Sequence, residues 1–480
     1  MFPYADQRDD YWTGYFTSRA DAKKQDRQTQ AQLHASNKLY ADKVIQMGVQ
    51  KETVDSIMQQ KHSMMDALGI MQHHDAITGT AKQAVADRYS QIMSDAVASN
   101  SLLYAEMIGE RATKSGLDSS LEWSTCTVTS TTPVDCNLDV SESKTYMVAA
   151  HNPSTVSQSL LRFYAPAGGS YKAYAIAEDS QTWTEVPSDL LCYTATEDDS
   201  KATQFQACEL FVTVNAPAQD ITYLKIEATP SETNKAVPEM SKSPNEDFEI
   251  ENENLHLKYV KHDEARNRAI FRLKNLKTGI TQHMGFSLMY YNPATGNDGY
   301  SSTDNCPSGA YIFKPKASDS EKKVYSKYVG RQAFKGAETS VQAFALYSMD
   351  ETTDEYYTSL VRLMPGANTV EWEVQMHGIP YGGGRLNPVG KEVVVNWEMI
   401  DDFDNESTFY TDSNGLEMQK RILNYRPDFT LDTDEYASSN YYPIGSALAM
   451  RSPSTNMQLT VMNDRSQGGS VLSNGNIELM

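Results

Sequence analysis

At 480 residues the chain is long enough for two to four domains with ample core, so it needs no metal or cystine staple to fold. Its 63 acidic residues outweigh 42 basic ones, and a net charge of −21 repels nucleic acid and anionic membranes rather than attracting them, which argues against a nucleic-acid partner. The 28 tyrosines suit a polar, uncharged partner such as sugar, because each offers an apolar ring face and a hydroxyl.

The chain opens on "FPYADQRDDYWTGYFTSR", where Phe2, Tyr4, Tyr11, Trp12, Tyr15 and Phe16 sit among Asp6, Asp9, Asp10 and Arg19. Aromatic faces beside carboxylates suit sugar rings; an aromatic contact between domains is an equal reading of this stretch. No basic-then-apolar signal precedes it, and no run anywhere approaches the roughly 18 apolar residues of a membrane span. The abrupt start reads like the inside of a domain, and the closing "NIELM" reads like an uncapped strand, so the chain is expected to be part of a longer one.

Residues 21–112 read as three helices. Asp21 to Met47 contains no Gly or Pro and carries Leu33, Tyr40, Val44 and Met47 at helical intervals. A second run from about Thr53 carries Val54, Ile57, Met58, Met65, Leu68 and Met71. A third runs from about Thr80 to Ile108, with Val85, Tyr89, Ile92, Met93, Ala96 and Val97 as its stripe. Short joints between long helices predict an antiparallel bundle. "LGIMQHHDAITGT", 68–80, falls at the corner between the second and third helices, where Thr78 and Thr80 are N-cap candidates and Gly79 supplies backbone freedom. Adjacent residues on a helix point about 100° apart, so at most one of His73 and His74 is expected to ligate a given metal. A polar helix C-terminus, where histidine interacts well with the helix dipole, is the competing reading.

After Gly116 the composition turns to Thr, Ser, Val and Tyr, with strand-like alternation in "TVEWEVQM" (369–376) and "MQLTVM" (457–462) and hairpin signals at Asn414-Gly415 and Asn474-Gly475. The polar, proline-bearing stretch 229–247 reads as a linker or long surface loop. It divides a small β domain, 120–228, from a large one, 248–480. Many strands with few helices between them predict packed antiparallel sheets, hence an α+β multidomain chain. The five cysteines have no C-x-x-C spacing, leaving structural disulfides or inert thiols; Cys192 and Cys208 flank a polar stretch compatible with a cross-strand pair. One glycosylation sequon occurs, at Asn405-Glu406-Ser407. "YGGGR" (381–385) lacks the context of a phosphate loop, and no G-x-S-x-G elbow is present. "DNCPSGAYIF" (304–313) reads as a tight turn followed by Tyr311, taken alone as a buried strand tyrosine.

Six motifs in order, "FPYADQRDDYWTGYFTSR", "QHHDAITGTAKQAV", "SGAYIF", "FYTDSNGLEMQKR", "NYYPI" and "DRSQGGSVLSNGNIELM", closely resemble the α-mannosidases of glycoside hydrolase family 38, nearer the lysosomal branch. The resemblance covers essentially the whole chain. It implies a three-helix bundle followed by β-sandwich domains of the mutarotase-like super-sandwich type, with residues 1–20 as the end of a catalytic barrel. It implies a retaining exo-hydrolase of terminal α-linked mannose on N-glycan-type oligosaccharides, assisted by one Zn2+ held by two His and two Asp. On the matching positions, His74 would be the zinc ligand of the helical domain, Asp75 would accept bonds from mannose hydroxyls, Trp12 would stack on the sugar face, and Tyr311 would bind a mannose hydroxyl. The early His-x-Asp pair, the nucleophile and the acid belong to the barrel, so this chain alone is expected to be inactive, with an incomplete zinc site. The alternative is a non-catalytic carbohydrate-binding protein that keeps Trp12, Asp75 and Tyr311. Kinship implies a lysosomal or secretory-pathway location and leaves a homodimer open.

Overall fold

A computed structural model describes residues 4–5, 10–47, 49–128, 134–176, 182–193, 207–231, 241, 243, 245–294, 308–315, 323–324, 327–350, 355–376, 391–428, 430–431 and 435–480. Phe2, Asp6, Asp9, Cys306 and the "YGGGR" stretch lie outside the described residues.

Three helices, α1 (Ala20–Met47), α2 (Lys51–Met71) and α3 (Gln83–Lys114), pack pairwise into the expected bundle. Its core is narrower than the periodicity implied. Ile57, Met64, Ala67, Leu68 and Met71 are buried on α2, while Met58, Met65, Val44 and Val85 face solvent. Three helices bury only a stripe of each, and flanking methionines stay outside it. Inside the bundle the Asn100 amide donates to Ser36 Oγ at 2.7 Å and accepts from Tyr40 Oη at 2.7 Å, so the buried amide is satisfied. α3 begins at Gln83 with no side-chain cap, so neither Thr78 nor Thr80 serves as its N-cap.

The small β domain is a sandwich. One sheet orders the strands Lys144–Asn152, Asp220–Pro230, Gly169–Ile176 and Trp183–Val186; the other orders Gln158–Tyr164, Ala207–Ala216 and Ser188–Tyr193. Phe163, Leu210, Val212, Leu224 and Ile226 form its core. The strand through Pro230 runs past the boundary expected at 228. Cys192 and Cys208 are register partners on neighbouring strands and are disulfide-bonded, and Cys126 is bonded to Cys136.

The large β domain combines a nine-stranded sheet with two four-stranded ones. Phe271, Phe286, Phe344 and Val361 pack with Val370, Trp372 and Val374, the alternating face expected in the 369–376 segment. Phe409, Ile444, Leu448, Val471 and Ile477 form a second core, against which Met457, Leu459 and Val461 pack. Both Asn-Gly signals sit at hairpin turns, with Gly415 at φ 69° and Gly475 at φ 71°.

The two β domains meet in an apolar cluster, Leu191, Tyr193 and Phe211 against Phe334, Val341 and Leu360, and a buried charge cluster lies beside it. The Arg362 guanidinium, 1% exposed, donates to both carboxylate oxygens of Glu209 at 2.9 Å and also reaches Glu371 and Glu373. Removing one partner of such a buried pair leaves the other charge uncompensated. Arg362→Met is therefore expected to cost about 3–5 kcal/mol, read as a lowered urea midpoint at unchanged secondary structure.

The sequon is internal. Asn405 is 1% exposed; its Nδ2 donates to Thr408 O at 3.0 Å and its Oδ1 accepts from Gly475 N at 2.8 Å. Its side-chain nitrogen is committed to the fold, so intact-mass measurement after secretory expression is expected to show no glycan at this position. Asn405→Ala is expected to cost about 1–3 kcal/mol by orphaning the Gly475 amide, measured by chemical denaturation.

Candidate active site

The chain leaves α2 at Met71 and turns through residues 72–82 before α3 begins. Ala76, 4% exposed, drops into the core formed by Met64, Ala67, Met71, Met93 and Ala96, and this pins the turn while His73, His74 and Asp75 face outward. The two histidines therefore lie beyond the helix, and the 100° helical separation does not apply to them. Their ring centroids are 4.3 Å apart, and one donor atom from each of His73, His74 and Asp75 lies within 4.8 Å of the others.

A second segment braces this turn. Gly79 adopts φ 77°, and a Cβ there would come within 2.3 Å of Ser18 O, so the close approach and the backbone conformation both require glycine. Arg19 Nε donates to Gly79 O at 3.0 Å and its Nη2 to Ala81 O at 2.8 Å. Lys23, 4% exposed, donates to Ser18 O at 2.5 Å and Thr78 O at 3.2 Å. Burial pushes the Lys23 ammonium down to about 7, against the opposing pull of Asp21.

The third contribution comes from the large β domain. Residues 308–315 carry Tyr311 to the turn, where its Oη donates to Asp75 Oδ1 at 3.2 Å. Tyr311 is 39% exposed rather than a buried strand tyrosine, because the local turn (Gly309 N to Ile312 O, 2.9 Å) directs it away from the core that holds Phe313. Lys314 pairs with the buried Asp10 at 2.9 Å, and Gly14 N donates to Tyr311 O at 3.0 Å, which seats the segment on the chain's opening stretch. Trp12 lies there, 5.0 Å between ring centroids from Tyr311 and 5.1 Å from Tyr4. Of the opening aromatics, Tyr11 and Phe16 are buried, while Tyr4 packs on Trp12 and Trp12 on Tyr311.

Trp12, His74, Asp75 and Tyr311 are brought to one corner, or within one contact of it. Sequence reasoning missed three supports. Thr80, taken for a helix cap, instead donates to Asp75 Oδ1 at 2.9 Å. His73 joins the cluster because it lies beyond the end of α2 at Met71. Lys314 had no local signal. The Thr80 bond holds the Asp75 carboxyl below the usual carboxylate range; partial desolvation opposes it, and Tyr311 and the two imidazoles add to the lowering. Asp75 is thus an acceptor at neutral pH, with Oδ1 occupied by two hydroxyls and Oδ2 facing His73 Nε2 at 3.6 Å and His74 Nε2 at 3.7 Å.

Residues 10–110 match the alpha mannosidase middle domain and residues 250–480 match the glycosyl hydrolases family 38 C-terminal domain, together more than half of the chain. The chain belongs to glycoside hydrolase family 38. Over its whole length this family 38 chain is similar to the lysosomal alpha-mannosidases of Bos taurus (28% identity), Dictyostelium discoideum (26%) and Homo sapiens (26%). It spans 42%, 46% and 43% of their respective lengths. In this family 38 chain the corner lies between the two matched domains, with Asp75 in one and Tyr311 in the other.

A depressed lysine pKa means that the unfolded state binds the extra proton between about pH 7 and the ordinary lysine value, so stability rises with pH across that window. Lys23→Met is expected to flatten this rise between pH 7 and 10, measured as urea midpoints across pH.

Proposed function

We propose that this chain supplies part of the substrate site of a retaining α-mannosidase acting on terminal α-linked mannose of N-glycan-type oligosaccharides, with His74 as a zinc ligand. The contact between Asp75 and Tyr311 carries this reading: two residues 236 apart in sequence meet at an exposed, sugar-suited corner with Trp12 beside it. The relatives named lysosomal alpha-mannosidase support the substrate class, and two disulfides suit an oxidising compartment of the secretory pathway or lysosome. No helix among the described residues is long and apolar enough to cross a membrane.

Each side chain has a task that follows from its partners. Asp75 Oδ1 is fixed by Thr80 and Tyr311, so the carboxylate cannot rotate, and Oδ2 accepts a sugar hydroxyl in one orientation. The Tyr311 hydroxyl spends its proton on Asp75, leaving its oxygen to accept from a neighbouring sugar hydroxyl. Trp12 offers an apolar surface to the C–H face of the ring.

The corner fits zinc by donor type, since imidazole nitrogen and carboxylate oxygen are both zinc ligands, and the His74 side chain, 85% exposed, is free to swing toward an ion. Zinc bound here would supply Lewis acidity and a template for the sugar hydroxyls. Cleavage with retention needs two carboxylates about 5 Å apart. Among the described residues, the group at this corner contains one carboxylate, Asp75. A polypeptide of these 480 residues is therefore expected to bind mannose without cleaving it.

Titration calorimetry is expected to show methyl α-mannoside binding in preference to methyl α-glucoside and α-galactoside. Asp75→Asn and Tyr311→Phe should each weaken binding roughly tenfold, about 1.4 kcal/mol. Equal binding of all three sugars, or full affinity in Asp75→Asn, would refute the assignment. Turnover of an aryl α-mannoside by the same preparation would refute the non-cleaving expectation alone.

A further inference from the structure

We propose that Asn414 is a site of spontaneous deamidation in the folded chain, through a cyclic imide formed with Gly415, and that the fold withholds the same chemistry from Asn474. The modification involves none of the residues assigned to the sugar site.

The sequence contains two Asn-Gly steps, Asn414-Gly415 and Asn474-Gly475, each preceded by serine, Ser413 and Ser473. A glycine after asparagine leaves its backbone nitrogen unshielded by a side chain. That nitrogen, once its proton passes to water or hydroxide, can attack the asparagine Cγ. The N–Cγ bond forms, the Cγ–Nδ2 bond breaks, and Nδ2 leaves as ammonia. Water then opens the five-membered imide, at Cγ to give aspartate or at the main-chain carbonyl to give isoaspartate. Either way asparagine and water become a carboxylic acid and ammonia, with nothing oxidised or reduced. Two conditions follow. The glycine N–H must be free to lose its proton, and the asparagine side chain must be free to rotate over that nitrogen.

At Asn474 neither condition is met. Gly475 is buried, its N–H donates to Asn405 Oδ1 at 2.8 Å, and its O accepts from Met399 N at 2.7 Å. The Asn474 side chain is held at both ends: Oδ1 accepts from Asn405 N at 2.8 Å and Nδ2 donates to Phe403 O at 3.2 Å. Phe403 and Asn405 are themselves buried, so reaching the reactive geometry means opening packed core.

At Asn414 the surroundings differ. Residues 413–418 are all exposed, and the Asn414 side chain has no hydrogen-bond partner among the described residues. Leu416 N donates to Ser413 O at 2.9 Å, and Gly415 N donates to Asp412 Oδ2 at 2.8 Å. Freeing the Gly415 amide therefore disturbs an exposed hairpin tip and no core, the kind of local opening that costs least. Asp412 is anchored separately, its Oδ1 accepting from Gly445 N at 2.7 Å, Ser446 N at 2.8 Å and Ala447 N at 3.2 Å. It stays in place while the tip opens and recaptures the Gly415 N–H on closing, which slows the reaction without preventing it.

The test is a peptide map. The full chain is incubated in mildly alkaline buffer made with heavy-oxygen water, either folded or in urea, then digested and read by mass spectrometry. In the folded chain the Asn414 peptide is expected to take up heavy oxygen and to appear as an aspartate and isoaspartate pair. Conversion at Asn474 should be roughly ten- to a hundredfold slower, as one or two further hydrogen bonds to break would impose. In urea the two sites should convert at like rates, since both read Ser-Asn-Gly. Asn405→Ala, with near-ultraviolet circular dichroism confirming its fold, should raise the rate at Asn474 and leave that at Asn414 unchanged. Equal rates at the two sites in the folded chain overturn the proposal, as does the absence of conversion at Asn414 while the chain is folded. An equal preference for Asn414 in urea assigns the difference to local sequence and overturns the protective role of the fold.

Discussion

The ion pair between Lys314 and Asp10 joins two charges, 9% and 2% exposed at their side chains, across 304 residues of sequence. Moving both from water into the protein costs several kcal/mol per ion, a cost offset only when the partners meet with good geometry. The pair therefore tolerates little displacement of the 308–315 segment relative to the chain's opening stretch. Trp12 follows Asp10 and Tyr311 precedes Lys314 in the chain, and the bonds from Gly14 N to Tyr311 O and from Ser18 Oγ to Ala310 O follow the same seam. Lose that seam and Tyr311 no longer reaches Asp75.

The interface between the β domains combines an apolar cluster with directional polar contacts. Arg362 and Glu209 join the β domains, and Asp189 reaches from the small one to accept from Ala337 N at 3.1 Å and Thr339 N at 2.7 Å in the large one. Apolar packing, within domains and between them, accommodates many arrangements of similar volume. Directional bonds between charged or fixed groups accept few. A site assembled from two domains needs the second kind of contact, since a displacement of an ångström at Asp75 or Tyr311 would undo their bond.

Local constraint at the turn complements this long-range one. Gly79, Arg19 and Lys23 tie four carbonyl oxygens and a tight backbone approach into a brace behind the outward-facing His73, His74 and Asp75. Arg19 directs its guanidinium to two of these main-chain oxygens. Thr80 then converts part of the turn into support for the Asp75 carboxylate. Rigid backing with exposed side chains is the arrangement a binding site needs: the frame is set, and the groups that meet the ligand remain accessible.

Much of this was legible in the chain itself. Helical spacing from 21 to 112, strand alternation in 369–376 and 457–462, and the Asn-Gly turns are short-range patterns, set by side-chain direction along a helix or strand, and each appears where it was expected. The disulfide at Cys192 and Cys208 was compatible with that pattern, and the family followed from motifs in order. What the sequence could not determine was set by burial between distant segments. Ala76 entering the core moved the histidines off the helix, Asn405 was drawn inside, Thr80 turned from a cap to a partner of Asp75, and Lys314 found Asp10. The physical reason is the same in each case. Periodicity reports a residue's own element, whereas burial and pairing depend on which other element packs against it, and only the tertiary structure decides that.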